Sequence, residues 1–202
     1  MSCNVFGFIS SIYRTQLRME NRELIVACKK QDTNAQRKLY EIYAARMMGL
    51  CLRYCKDYDD AQDLLHDGFL KVFTQIKTFS GSGSFEGWMR KIFVNTVFEH
   101  FRQEKSRHFI ISDGEEPEIE TFDENLERLL NHDISEAKLL EMIQAMPPGY
   151  RMVFNLYVFE EMTHKEIAEK LGIKENASRS QFSRAKSHLR QKINGYIANN
   201  NE

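Results

Sequence analysis

The sequence predicts an all-α protein built from two small helical domains joined by an acidic flexible linker. Three observations favour this fold class. The 202 residues include only 3 prolines and 10 glycines, the two residue types that interrupt helices most strongly. Apolar residues recur three or four positions apart through most of the chain, which is helical spacing. No segment shows the alternation of apolar and polar residues that is typical of a half-buried strand.

Charge is distributed unevenly along the chain, although the formal net charge is only −1. Residues 1–110 carry seventeen lysines and arginines against twelve acids, whereas residues 111–135 carry nine acids against Arg128 alone. Such an acidic strip, which also contains Gly114 and Pro117, cannot bury enough apolar surface to offset the entropy of ordering, and it is typical of a flexible tether. The basic segment before it indicates a polyanionic partner.

These features divide the chain into four parts. We expect residues 1–19 to be a disordered extension, with Met19 as an alternative start. Residues 20–107 form the first helical domain, 108–135 the acidic linker and 136–202 the second helical domain. Because the linker is long and polar, we expect the two domains to fold separately.

Four helices are predicted in the first domain. Their approximate bounds are 21–30, 34–54, 57–76 and 85–107. The segment TFSGSGSF, residues 78–85, separates the last two because alternating glycine and serine favour neither a helix nor a strand. The third helix begins at a cluster of acids, where Asp57, Asp59 or Asp60 could cap it.

The second domain is predicted to contain helices over about 135–145 and 150–159, followed by a helix-turn-helix. Thr163 and Glu166 have the spacing of a capping box, which starts a helix. Gly172 then stands where a helix ends in the left-handed conformation. Together these signals define a short first helix and a tight turn.

The last predicted helix begins near Glu175 and has two unlike faces. One face is an apolar stripe of Phe182, Ala185, Leu189, Ile193 and Tyr196. The other carries basic and hydroxyl-bearing side chains, namely Arg179, Ser180, Ser183, Arg184, Lys186 and Ser187. Guanidinium and hydroxyl groups suit base edges and phosphates, so we interpret this face as a DNA-binding surface. The alternative is a helical hairpin whose basic face is only solvated.

The helix predicted over 85–107 interleaves aromatic residues with basic residues such as Arg90 and Lys91. Most of its aromatics have the spacing of core residues. A basic helix beside a loop that contains Phe79 and Phe85 is also suited to single-stranded nucleic acid, because nucleobases can stack on the rings while lysine and arginine side chains follow the phosphate backbone.

A polar face of the helix predicted over 57–76 lies opposite its apolar stripe. This face carries Asp63, His66, Asp67 and Lys71. It is either a solvated face or a docking surface for a protein partner. Residue chemistry alone leaves both interpretations open.

Several classes of function lack support in the sequence. Cys51 and Cys55 lie one helical turn apart, but no second Cys/His pair follows at zinc-ligand spacing, so no metal site is predicted. The SGSGS segment lacks the strand and the lysine of a phosphate-binding loop. We therefore predict a non-enzymatic protein with no catalytic residue, cofactor or small-molecule substrate. No apolar run approaches the ~20 residues that cross a bilayer, and we expect a cytoplasmic location.

Two stretches of the chain resemble the sigma-70 family, in its extracytoplasmic-function (ECF) group. DAQDLLHDGFLKVFTQIKTFSGSGSFEGWMRKIFVNTVFEHFR is similar to region 2 of these factors, and MPPGYRMVFNLYVFEEMTHKEIAEKLGIKENASRSQFSRAKSHLRQKI is similar to region 4. The two stretches occur in the family's order. The resemblance implies a region 2 domain over 20–107 and a region 4 helix-turn-helix domain over 136–202. It further implies an alternative sigma factor that binds core RNA polymerase and promoter DNA, both duplex and melted non-template strand, to initiate transcription.

The resemblance also implies roles for individual residues. The segment that docks on core polymerase corresponds to Asp63, His66, Asp67, Phe69 and Lys71. The loop and helix that hold melted minus-ten DNA correspond to Phe79, Ser80, Ser82, Ser84, Phe85, Trp88, Arg90, Lys91, Asn95 and Thr96. The helix that recognises the minus-thirty-five element corresponds to Arg179, Ser180, Gln181, Ser183, Arg184 and Lys186. Many members of the family are held by a membrane-anchored anti-sigma factor, which is a further candidate partner.

Some residues depart from the usual pattern of the family. Gly68 and Gly87 stand where larger residues are usual, which would cost about 1 kcal/mol each in helix propensity. Ser178 replaces an apolar residue of the recognition helix. The rival function is a helix-turn-helix transcriptional regulator that acts without polymerase. Such a regulator would need a sensing domain or a dimer interface in residues 20–107, where the sequence instead favours single-strand binding.

Overall fold

The fold was analysed in a computed structural model, which describes residues 22–108 and 134–200. All regular structure within these ranges is helical, which confirms the predicted all-α class. The helices are α1 (22–29), α2 (Thr33–Tyr54), α3 (Tyr58–Gln75), α4 (Phe85–His108), α5 (Glu136–Gln144), α6 (Pro148–Val158), α7 (His164–Leu171) and α8 (Glu175–Asn200). The predicted extension at 1–19 and nearly all of the acidic linker lie outside the described residues. None of the described helices has the combined length and apolar character needed to span a membrane.

Aspartates set the starts of α2 and α3. Asp32 accepts a hydrogen bond from the Ala35 N–H at 2.7 Å. Asp57 accepts one from the Asp60 N–H at 2.9 Å, so Asp57 is the cap among the three acids that the sequence offered. Each of these bonds satisfies a backbone donor that the helix itself leaves without a partner.

An aromatic core holds α2, α3 and α4 together, with Phe93 of α4 at its centre. Phe93 is 0% exposed, and its ring meets that of Phe69 edge-on with centroids 5.4 Å apart. A Cβ atom on Gly68 would lie 2.3 Å from Cε1 of Phe93. The glycine of α3 is therefore required by the close approach of this ring, which gives a steric reason for its departure from the family pattern.

The second half has a smaller core of its own, where α5, α6 and α8 meet. Its buried members are Met142, Ile143, Met146, Phe154, Ala185, Leu189 and Ile193. Helix α6 begins at Pro148, two residues before the predicted start at Tyr150. The earlier start is favourable because proline at the first helical position loses no hydrogen bond and already has a helical φ.

The helix-turn-helix consists of α7 and α8, and both predicted ends of α7 are confirmed. Thr163 Oγ1 accepts from the Glu166 N–H at 3.3 Å, and a Glu166 carboxylate oxygen accepts from the Thr163 N–H at 2.8 Å. The Thr163 hydroxyl also donates to the Glu166 carboxylate at 2.7 Å, and this bond, together with the one from the Thr163 N–H, lowers the pKa of Glu166. Gly172 closes the helix in the left-handed region at φ 66°.

Ser178 is packed by a hydrogen bond instead of by apolar contact. Its side chain is 0% exposed, and its Oγ lies 3.0 Å from Nδ1 of His164. The His164 ring in turn stacks on Tyr157, with centroids 4.6 Å apart. Burial lowers the pKa of His164, which favours the neutral ring. A polar link therefore ties the start of α8 to the start of α7.

The two halves pack against each other and share a buried core. Met152 and Leu156 of α6, together with Ile167 and Leu171 of α7, belong to the same buried cluster as the centre of the first bundle. Separate folding of the halves stays a prediction. Pulling them apart would expose this apolar surface to water, at a cost that grows with the area uncovered.

Candidate nucleic-acid interface

The loop between α3 and α4 presents hydroxyl groups to solvent. Ser80, Ser82 and Ser84 are all exposed, and the first two have Oγ atoms 2.8 Å apart. Gly81 and Gly83 have φ values of 87° and 79°, a conformation that costs other residues energy. The glycines thus shape a tight loop whose outer surface consists of donors and acceptors.

The two phenylalanines that flank this loop lie in the core. Phe79 and Phe85 are 7% and 8% exposed, with ring centroids 5.1 Å apart. Trp88, half-buried, stacks on Phe85 at 5.4 Å. In this conformation the rings support the loop from below and are not presented for stacking on a base, because they serve as the end of the aromatic core.

The candidate residues of α4 differ in accessibility. Lys91 and Asn95 are exposed. Thr96 is 0% exposed, and its Oγ1 donates to the Ile92 carbonyl at 2.9 Å. Among the candidates of this helix, the two exposed residues are therefore open to solvent and Thr96 faces the bundle.

Arg90, the remaining candidate of α4, is engaged by the other half of the molecule. Its Nε and Nη2 donate to the two carboxylate oxygens of Glu160, each at 2.8 Å. Nη2 also donates to the Phe159 carbonyl at 2.7 Å. The Glu160 side chain is only 10% exposed. Hydrogen bonding to Glu160 raises the pKa of Arg90, so the guanidinium stays charged.

The polar face of α3 is partly paired with α4. Asp67 Oδ2 lies 2.8 Å from Nε2 of His100, and Lys71 forms an ion pair with Glu99. Asp63 and His66 are exposed. The candidate docking face therefore presents two exposed polar side chains beside two that α4 already holds.

Two α3 residues change the predicted docking set. Phe69 is 3% exposed and belongs to the core. Leu70 is 52% exposed and was not among the predicted site residues. The signal was in the sequence, because Leu70 lies off the apolar stripe of its helix. An apolar side chain beside Asp63 and His66 suits a protein contact better than a solvated face.

The outer face of α8 carries most of the predicted recognition residues. Ser180, Ser183, Arg184 and Lys186 are partly exposed, and Arg179 is exposed. Each is held by the rigid helix, and basic side chains are interspersed with hydroxyl-bearing side chains along it. The face combines groups that contact phosphates with groups that reach base edges.

Two details of α8 could not be read from its pattern. Arg179 Nη2 lies 2.6 Å from a carboxylate oxygen of Glu175, one turn earlier on the same helix. Gln181 is 8% exposed, on the same side as the buried residues Ser178 and Ala185. Its side chain therefore faces the protein interior, whereas the resemblance placed it among the DNA-binding residues.

Both halves match family models. The model for Sigma-70 region 2 matches residues 39–107, and the model for Sigma-70, region 4 matches residues 136–189. Together they cover more than half of the chain. The chain belongs to the sigma-70 family. The two matched regions coincide with the bundle that carries α4 and the half that carries the helix-turn-helix.

Individual relatives agree with this assignment. RNA polymerase sigma-H factor of Pseudomonas aeruginosa is 26% identical over 178 residues, which cover 84% of this chain and 92% of that protein. ECF RNA polymerase sigma factor SigW of Bacillus subtilis is 22% identical over 193 residues, which cover 88% of this chain and 98% of that protein. Among solved structures, CnrH in complex with the cytosolic domain of CnrY has a TM-score of 0.44 and 17% identity, and the match covers 86% of this chain and 97% of that chain. On the family models and the sequence relatives, this sigma factor is an alternative factor of the ECF group, and a regulator that acts without polymerase is not favoured.

Proposed function

We propose that this sigma factor docks on core RNA polymerase through α3, holds the melted minus-ten strand along α4, and reads duplex minus-thirty-five DNA with α8. One observation carries the proposal: solvent-accessible polar and basic side chains gather at the α3–α4 loop and α4 in one half and along α8 in the other, and each half matches the corresponding region of the family. Cations neutralise phosphates and supply affinity, while hydroxyl and guanidinium groups contact base edges.

The minus-thirty-five contact is assigned to the first turns of α8. In a helix-turn-helix, the second helix enters the major groove with its N-terminal residues at the base edges. Arg179, Ser180, Ser183 and Arg184 lie in that part of α8. The hydrogen bond between Ser178 and α7 holds the helix in place, so these side chains are presented by a rigid support.

The minus-ten contact is assigned to exposed groups of the loop and α4. The serine hydroxyls of 80–84 can hydrogen-bond to unpaired base edges, and Lys91 and Asn95 lie on the outer face of the helix. Arg90 joins these residues once it is released from Glu160. Phe79 and Phe85 act beneath the loop as its support.

Docking on polymerase is assigned to Asp63, His66 and the exposed Leu70. The face joins a carboxylate and an apolar side chain, the combination found at the core and rim of protein interfaces. We place this function in the cytoplasm, where it proceeds by binding and without catalysis or cofactor. A membrane-anchored anti-sigma factor is a further proposed partner, and it rests on the family resemblance.

Transcription in vitro tests the proposal. Core polymerase with this protein should initiate at specific sites on fragments of its own genome, and polymerase alone should not. Asp63→Lys should abolish co-purification with core polymerase, whereas Glu41→Lys, the same charge change on the exposed surface of α2, should not. Specific binding to duplex DNA by the protein alone, with no polymerase-dependent initiation, would support the regulator instead.

A further inference from the structure

The Glu160 carboxylate lies in a site built by both halves. Besides the two hydrogen bonds from Arg90, the Tyr54 hydroxyl approaches a Glu160 oxygen at 3.4 Å. The Arg53 guanidinium lies over the Phe159 ring, 4.4 Å from its centroid. Burial, together with the charge of Glu160, raises the pKa of Tyr54, so its hydroxyl stays protonated and able to donate. A carboxylate with three donors and 10% exposure is an organised contact.

Neighbouring contacts extend this link along the interface. The Asn155 side chain donates to the Arg53 carbonyl at 2.8 Å, and that of Gln144 donates to the Leu52 carbonyl at 3.0 Å. At the other end, Arg102 of α4 donates to the Lys170 carbonyl of α7 at 2.9 Å. The polar contacts thus border the shared apolar core at several points, and closing the halves satisfies all of them together.

The closed arrangement also brings the second half beside the docking face. A cleft of about 400 Å³ lies between the halves. Asp63 and His100 line it from the first half, and Met146 and Pro148 line it from the second. A partner that approaches Asp63 therefore meets α5 and α6 at the edge of its surface.

We propose that the contact between Arg90 and Glu160 is an autoinhibitory latch that holds the free sigma factor closed and must break before α4 binds the minus-ten strand. The proposal rests on the proposed function, because that function assigns Arg90 to DNA. Nε and Nη2 of the Arg90 guanidinium are bound to the Glu160 carboxylate and the Phe159 carbonyl, which leaves only Nη1 for a phosphate or a base and closes both two-nitrogen edges of the fork. The Glu160 carboxylate thus takes the place beside Arg90 that a DNA phosphate would take.

The latch lowers the affinity of the free protein for DNA by a simple rule. Apparent affinity falls in proportion to the fraction of molecules in the competent conformation. If most molecules are closed, opening them raises affinity without a new DNA contact. Docking on polymerase would supply the energy of opening, because Asp63 lines the same cleft as Met146 and Pro148 of the second half.

The test compares Glu160→Gln with Glu161→Gln in the full chain. Glu161 is the adjacent, exposed acid, so its variant makes the same change in net charge outside the latch. Glu160→Gln should increase the radius of gyration in small-angle X-ray scattering. It should also tighten binding of a mixed-sequence single-stranded 20-mer about threefold to tenfold. Glu161→Gln should do neither, and circular dichroism should show equal helix content in both variants.

A double-mutant cycle sharpens the test. Arg90→Gln should open the molecule as Glu160→Gln does, and the double variant should be no more open than either one, because the two residues act through one contact. Additive opening, or a radius of gyration that stays at the wild-type value in Glu160→Gln, would overturn the latch.

Two further outcomes separate the latch from the proposed function. Opening of Glu160→Gln without a gain in single-strand affinity over Glu161→Gln would overturn the regulatory role, and with it the assignment of Arg90 to DNA. Normal polymerase-dependent transcription by a Glu160→Gln protein that stays compact would overturn the latch and leave the sigma-factor function intact.

Discussion

The two halves of this sigma factor present their candidate DNA-binding residues in different ways. In the helix-turn-helix half, Arg179 pairs with Glu175, an exposed neighbour one turn away, and such surface pairs are worth little. In the bundle half, Arg90 pairs with the nearly buried Glu160, seventy residues away. The Arg90 side chain is 40% exposed, but leaving the nearly buried Glu160 carboxylate without its partner still costs more than breaking an exposed pair.

This difference suggests a division of labour. Under the proposed function, α8 can meet duplex DNA as it stands, because the partner of Arg179 is local and solvated. Under the same proposal, Arg90 of α4 must first exchange Glu160 for the minus-ten strand. The bundle is accordingly the half where we expect a conformational change to control binding.

The largest effect is expected in the aromatic core of the bundle. Phe93→Ala should lower the free energy of unfolding by about 3–5 kcal/mol, because it removes a fully buried ring and leaves a cavity. Urea unfolding followed by circular dichroism measures this loss. Leu189→Ala, in the core of the other half, should cost about 2–5 kcal/mol. A loss below about 1 kcal/mol for Phe93→Ala would contradict the central place given to this ring.

Removal of a recognition side chain should have the next largest effect. Arg179→Ala or Arg184→Ala should each weaken minus-thirty-five recognition by about 1–3 kcal/mol if its contact is to a base edge. Initiation by the holoenzyme on promoters that depend on this element measures the effect. Lys192→Ala, further along the same helix, is the matched control and should be close to wild type. Normal initiation by both arginine variants would show that α8 has another role.

Two glycine-to-alanine substitutions should change the free energy of unfolding in opposite directions, because only one of the two glycines lies at the close approach of α4 to α3. Gly68→Ala should destabilise the protein by about 1–3 kcal/mol, because Phe93 and the helices must shift to admit the methyl group. Gly49→Ala should stabilise it by up to about 1 kcal/mol, because alanine is the better helix former and nothing lies within 4 Å of the added atom. Thermal unfolding of both variants checks the pair, and equal signs would contradict the packing described for Phe93.

The smallest effect is expected at the capping box of α7. Thr163→Ala should cost about 1 kcal/mol of stability near neutral pH. Because hydrogen bonds hold the pKa of Glu166 below its ordinary value, its contribution is present above the unfolded-state pKa and is lost as pH falls through the folded-state pKa. The difference in the free energy of unfolding between Thr163→Ala and the wild type should therefore become smaller in acid. Urea unfolding across this pH range measures it, and a difference that widened in acid would be the contrary result.

Local signals account for the parts of the fold that were predicted well. The start of α7 depends on two residues three positions apart, and its end depends on the left-handed preference of Gly172. Spacing of apolar residues likewise identified the buried stripe of α8, where Ala185 and Ile193 are 0% exposed. Such features depend on neighbours within one or two turns, so the residues themselves carry the information.

Long-range packing decided what those signals left open. The helical period could not tell whether Phe79 and Phe85 belong to the core or to the surface of the loop, because a ring at a helix end suits both. Gln181 looked like a recognition residue until the side of α8 that faces the protein was known.

The sequence by itself determined that this protein is helical, that it carries a helix-turn-helix and that many of its lysines and arginines gather on two helices. These properties follow from composition, spacing and capping. Only the tertiary structure decided that Arg90 is held by Glu160 and that the two halves share a core. An ion pair between residues seventy positions apart has no local signature, because the attraction is realised only when the fold brings the two charged side chains into contact.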